Sequence, residues 1–273
     1  MKKLIDRPHN DYDPNNPETI FWTDGTYVYF NTGETRKEIW QGSEKSYYAT
    51  HLKGANPKTF LYEGFWGKDD KKCFCGESWL KNADVETFKA VNYTYAIDKN
   101  HVYTIVGKVK DADVETFEVL DNGKSFLWYS STGIPIYIPN GYAKDKNHVY
   151  YDNYEGKTKI IKNAHLETFK SLGDTYFASD KNHIYGNGKV LKKANVNSWK
   201  KLTELPMSLY SKDDTRVFYG FWEIDVDYET FEVLLPIKAK SIAYQLAKDK
   251  NNFYHNGEII SVEEFAELKE KLD

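Results

Sequence analysis

Asp98-Lys99-Asn100-His101-Val102-Tyr103, Asp145-Lys146-Asn147-His148-Val149-Tyr150, Asp180-Lys181-Asn182-His183-Ile184-Tyr185 and Asp249-Lys250-Asn251-Asn252-Phe253-Tyr254 are near-identical stretches of one chain. Weaker copies begin at Asp24, Asp69 and Asp213. A short segment recurring in this way is the mark of a repeat architecture. A second element alternates with it: Pro57-Lys58-Thr59-Phe60, Val85-Glu86-Thr87-Phe88, Val114-Glu115-Thr116-Phe117, Leu166-Glu167-Thr168-Phe169, Val196-Asn197-Ser198-Trp199 and Tyr228-Glu229-Thr230-Phe231.

The first element has hairpin chemistry. An aromatic strand such as Thr94-Tyr95-Ala96-Ile97 enters it, and Val-Tyr or Ile-Tyr leads the returning strand. Asp can bond backbone two residues on, and Asn tolerates positive φ. The expectation is a type I turn with its Asn left-handed and a bulge closing the hairpin. Further turns follow at Gly186-Asn187-Gly188 and Asn256-Gly257. In the second element an Asp or Asn precedes Glu, a helix-start signal with room for one or two turns, and its Phe is expected to plug the core.

Composition agrees with strand. The chain has 273 residues, enough for one large domain or two ordinary ones, and its apolar surface lies in 22 Tyr, 15 Phe and 7 Trp despite a mean hydropathy of -0.70. An isolated hairpin is marginal in water, so successive units must stack or close on one another. The reading is mainly β: tandem β-hairpin repeats with short helical turns over 1–260, about seven units, in a propeller-like or superhelical array. Insertions fall near 31–52 and 121–140. Ser261 and Glu264 form a capping box, and Phe265, Leu268 and Leu272 share one face, so 261–273 is expected to be a C-terminal capping helix.

With its Asp-Lys-Asn turn followed by an aromatic strand, the chain resembles the bacterial DKNYY family over roughly 24–254. Several copies carry His after Asn, and two carry Asp-Asp in place of Asp-Lys. The resemblance implies a repeat protein. It also implies a role as an immunity protein, because such proteins are found near bacterial toxin systems.

Three residue sets on this scaffold have metal- or redox-type chemistry. His101, His148 and His183 could converge on a metal, but Asn252, Arg216, Lys72 and Tyr27 stand at the equivalent place in other units. Asp-x-Asn opens a calcium loop, yet the central Gly and the twelfth-position Glu of that loop are missing. Cys73 and Cys75 fall on one strand face and read as buried small hydrophobes, since a structural zinc site needs four ligands. No nucleophile elbow, phosphate loop or His-Glu-x-x-His pair occurs. The reading is no catalytic residue, no metal and no cofactor.

A net charge of -4 and a pI near 6.0 give no case for nucleic-acid binding, and no apolar run is long enough to span a bilayer. The first residues turn polar before an apolar signal region forms, so a cytoplasmic protein is expected. Function is sought where the repeat is broken. Trp40, Phe65, Trp66, Trp128, Tyr129, Tyr137, Phe221 and Trp222 are the candidate partner-binding residues, since Trp and Tyr anchor interfaces. The reading is a non-catalytic protein that binds a cognate toxin or another protein. A carbohydrate-binding module or glycan-acting enzyme with an aromatic surface is the alternative.

Overall fold

The Asp98 carboxylate shows how one unit is assembled in the computed structural model. Its Oδ1 accepts the backbone N–H groups of Asn100 and His101, both at 2.7 Å. Its Oδ2 accepts the Tyr103 hydroxyl at 2.8 Å and the Asp84 backbone N–H at 2.8 Å. One side chain therefore closes its own turn, fixes the tyrosine of the returning strand, and holds the start of the preceding helical turn. The structure describes residues 1–6, 20–39, 42–129, 135–173, 176–203, 208–234 and 245–270, with backbone alone at 2, 5, 6, 31–39, 42–49, 127–129 and 135–136.

Around this carboxylate, Lys89–Ala90, Ala96–Ile97, Val102–Thr104 and Gly107–Lys108 form a four-stranded antiparallel sheet in sequence order. The same meander recurs about Asp145, Asp180, Asp213 and Asp249. The Asp69 sheet gains Lys2–Lys3 at its edge, and the Asp24 sheet gains Ile5–Asp6, parallel to Phe21–Thr23. The fold is mainly β and built of repeated hairpin sheets, as the residue pattern indicates. The chain divides into two compact units, Met1–Phe117 and Glu118–Asp273.

Both insertions are hairpins. Val28–Ile39 pairs with Gly42–His51, and Lys124–Tyr129 pairs with Pro135–Pro139 across a bulge between Phe126 and Trp128. The terminal helix spans Val262–Glu270. Ser261 Oγ accepts the Glu264 N–H at 3.1 Å, and the Phe265 ring stacks on Phe253 at 4.1 Å. Phe265 and Leu268 are buried against Leu246, whereas Leu272 lies outside the described residues.

The expected left-handed Asn and bulge are corrected. Asn100, Asn147, Asn182 and Asn251 are not among the residues with positive φ, and the Ile97–Val102 register continues into the turn through Asp98 N–H to His101 C=O at 3.0 Å. The carboxylate has captured the two turn N–H groups, so no left-handed residue is needed to present them elsewhere. Positive φ appears instead before five of the six helical turns, at Gly54, Asn82, Asp111, Asn163 and Lys193, and not before the turn at Asp227. At four of these the turn closes by a backbone bond: Ala55, Ala83, Ala164 and Ala194 donate to the carbonyls of Leu52, Leu80, Ile161 and Leu191, three residues back. A left-handed third residue is what a type II turn requires.

The second element is a single turn. Phe88 N–H reaches the Asp84 carbonyl at 2.9 Å, and Asp84 Oδ1 caps the Thr87 N–H at 3.0 Å. The turn drives Phe88 into the core against Trp66 and Tyr103. Phe60 and Phe169 are buried in the same way. Truncating such a ring costs about 3–5 kcal/mol.

Departures from Asp-Lys-Asn obey a charge rule. Lys99 Nζ meets Asp84 Oδ2 at 2.7 Å, and Lys250 Nζ meets Asp227 Oδ2 at 2.6 Å. Where the turn begins with Asn56 or Asn195, the Lys is replaced by Asp70 or Asp214, which accepts the amide at 2.9 or 3.1 Å. Donor and acceptor have exchanged ends, so the joint between helical turn and hairpin survives.

In the second compact unit, sheets interlock through tyrosines. Tyr142 donates to the Tyr176 carbonyl and accepts Gly188 N–H, while Tyr210 donates to the Gln245 carbonyl and accepts Gly257 N–H. Tyr151 and Tyr219 bond the side chains of Asn187 and Asn256 in those turns. A Cβ at Gly188 or Gly257 would lie 2.6 Å from the Tyr151 or Tyr219 side chain, and both glycines have positive φ. Glycine is required at these two positions on both counts.

Burial pushes the carboxyls of Asp98, Asp180, Asp213 and Asp249 upward, but the hydrogen bonds they accept outweigh it, leaving each below the usual carboxylate range. A depressed folded-state pKa contributes stability that is present above the unfolded value, about 4, and is lost as pH falls through the folded value. Urea midpoints should therefore hold from pH 7 to about 5 and then fall steeply between about pH 4 and 2. Asp98→Ala, which strands three backbone N–H groups, should cost about 3 kcal/mol at pH 7 and show a shallower acid loss. Separately, Asn195→Asp should set two carboxylates together and destabilise by ~0.5 kcal/mol at low salt. Adding Asp214→Lys should restore the lost stability, and a double-mutant cycle in urea measures the coupling.

Candidate functional site

Most polar groups of the repeat are engaged in holding it together. His101, His148 and His183 each keep to their own sheet. Their Nδ1 atoms lie 3.3, 3.3 and 3.4 Å from the hydroxyls of Tyr103, Tyr150 and Tyr185, two residues on. Among the described residues, no group of three or more His, Cys, Asp or Glu side chains is placed to hold a metal ion. Cys73 and Cys75 are unbridged and buried in one cluster with Trp66, Phe88 and Tyr103. Burial pushes the Cys73 thiol up to about 12.

A second pair of coupled positions accounts for several large side chains. The residue three after the Asp faces the residue ten after it on the last strand of the sheet. In the Asp69 unit Lys72 Nζ sits 5.1 Å over the Trp79 ring. In the Asp98 unit Lys108 Nζ meets His101 Nε2 at 2.9 Å, and in the Asp213 unit Arg216 Nε meets Glu223 Oε1 at 3.7 Å. Trp79 is half exposed yet capped by its lysine, and it lies on the last strand, beyond the Asp-Lys-Asn hairpin whose residues carry the sequence signal.

The expected partner-binding residues fall into four groups. Trp66 is fully buried and Phe65 packs between Phe30 and Tyr93, so both fill the core of the first unit. Tyr137 is partly buried beside Phe126, with Lys124 Nζ 4.6 Å from its ring. Trp40 lies outside the described residues, as do the side chains of Trp128 and Tyr129.

Phe221 and Trp222 are different. They follow Gly220, whose positive φ turns the Asp213 sheet into its last strand, Trp222–Ile224. Phe221 anchors the pair against Ile184, Leu191 and Phe218. The Trp222 ring lies 3.9 Å from the Phe221 ring at 37° and is 60% exposed. The equivalent positions of other sheets hold Ser78, Gly107, Lys159, Lys189 and Glu258. On the opposite face of this strand Glu223 joins Lys193 at 2.7 Å and Arg216, beside a cleft of about 470 Å³ whose cations are thereby paired. The candidate site is thus an aromatic platform on a sheet edge.

A family model for the DKNYY family matches residues 10–104 and 65–222. The chain belongs to the DKNYY family. No curated protein and no solved structure matches it. The Asp-Lys-Asn run that this DKNYY-family chain repeats is its structural turn, and the platform lies outside that run. No helix among the described residues is long and apolar enough to cross a membrane.

The buried thiols should be inert in the native protein. A thiol reagent at pH 8 is expected to modify neither Cys73 nor Cys75 before unfolding and both in 8 M urea, a concentration of about that order being enough to unfold most domains.

Proposed function

We propose that this DKNYY-family chain is a non-catalytic binding protein, and that its biological form is an immunity protein which occludes a toxin made by the same bacterium. The observation that carries the reading is Trp222. A large ring stands 60% exposed, tilted against an anchored Phe221, at a position that scaffold packing does not require. Such a ring is already ordered before binding and loses little side-chain freedom on contact, the property of interface hot spots. The repeat carboxylates favour the same reading, since Asp98, Asp180, Asp213 and Asp249 accept bonds at both oxygens and are held in structural turns. The immunity role itself rests on the family resemblance.

Co-expression with the product of the neighbouring gene should yield a stoichiometric complex that protects the host. Trp222→Ala should leave the fold intact by circular dichroism and weaken the complex at least tenfold, about 1.4 kcal/mol or more. Absence of any complex would count against the reading.

A further inference from the structure

A chain of contacts leads away from Trp222 across three successive sheets of the second compact unit. Lys189 Nζ lies 4.9 Å from the centre of the Phe221 ring, against which Trp222 packs. Lys189 immediately follows Gly188, and the Tyr151 ring lies against that glycine. The cross-strand partner of Tyr151, Lys159, places Nζ 6.0 Å from the ring centre. Lys159, Lys189 and Trp222 hold the same register position on the last strands of the Asp145, Asp180 and Asp213 sheets. The position then ends in Glu258 on the Asp249 sheet.

Both lysines are exposed, and neither has a carboxylate within 4.0 Å among the described residues. This sets them apart from Lys99, Lys193 and Lys250, each of which is paired. Aromatic faces hold the two ammonium groups in place without neutralising them, because a ring quadrupole attracts a cation and carries no net charge. We propose that this stripe, Lys159–Lys189–Trp222, is the docking surface for an acidic protein segment that brings carboxylates to the two ammonium groups and an apolar side chain to Trp222. The proposal rests on the reading of the chain as a binding protein and names the chemistry of its partner.

A single-stranded nucleic acid also combines negative charge with flat rings, but the stripe fits it less well. Tyr151 is fully buried, so Trp222 is the stripe's one exposed ring, where a strand of successive bases needs successive platforms. Two ammonium groups without a carboxylate partner among the described residues, on a chain of net charge -4, make no basic groove that tracks a phosphate backbone.

The full chain should be titrated with two fluorescent probes at low and moderate salt: a glutamate–tyrosine copolymer and a single-stranded oligothymidine of similar charge. The copolymer is expected to bind saturably and to weaken as salt rises. Lys189→Glu should weaken it at least tenfold, Lys159→Glu and Trp222→Ala severalfold, and the distant control Lys53→Glu should leave it unchanged. All of these side chains are exposed, and circular dichroism reports that each variant is folded. Copolymer binding that is absent, that survives Lys189→Glu, or that is weaker than oligothymidine binding would overturn the proposal. A toxin complex that persists while copolymer binding fails would sink this inference and leave the binding-protein reading standing.

Discussion

A carboxylate that accepts from three separate pieces of chain is the constraint on which the rest depends. At Asp98, Asp180 and Asp249 the two oxygens take two turn N–H groups, a strand tyrosine hydroxyl and the first N–H of the preceding helical turn. Sheets of two- and three-residue strands bury little on their own. Tying the phenylalanine plug of one element to the hairpin of the next gives these short strands a common core. At Asp69 and Asp213 the strand residue is Phe74 or Phe218, and the other three bonds remain. The tyrosine bond is thus an addition to the joint, and the backbone bonds are its constant part.

The repeat, the hairpins, the one-turn plugs and the terminal helix were legible in the sequence because each rests on local residue chemistry. Asp, Asn and Gly mark turns, alternating aromatics mark strands, and Ser261 with its acidic neighbours marks a helix start. The expected left-handed Asn is absent for a physical reason: turn propensity describes a backbone left to itself, and here a buried side chain supplies the acceptors. The left-handed positions at Asn82, Asn163 and Lys193 carry a readable signal, a Lys before and an Ala after, which lies between the two recurring motifs.

The candidate surface was legible only in part. Breaks in the pattern pointed to Phe221 and Trp222, and equally to Phe65 and Trp66, which are core. Gly-Phe-Trp occurs at both places, and its two aromatics part company only through the packing around them. Lys159 and Lys189 were invisible as a pair, because a five-residue difference in loop length hides their common register until the strands are paired.

The carboxylate joint also bears on how such a chain can grow. Asp98, Asp180, Asp213 and Asp249 grip helical turns that begin 14, 15, 18 and 22 residues before them, so the cohesive block runs from that turn to the end of the following hairpin. A duplication or exchange whose boundaries fall between plug and hairpin would part each Asp from the N–H it holds. Boundaries at the left-handed turn ahead of the plug would carry the whole joint with them. The matched ends, Asp with Lys or Asn with Asp, travel together in such a block. A chain built this way can lengthen by copying and still drift in sequence, since every copy brings its own lock and key.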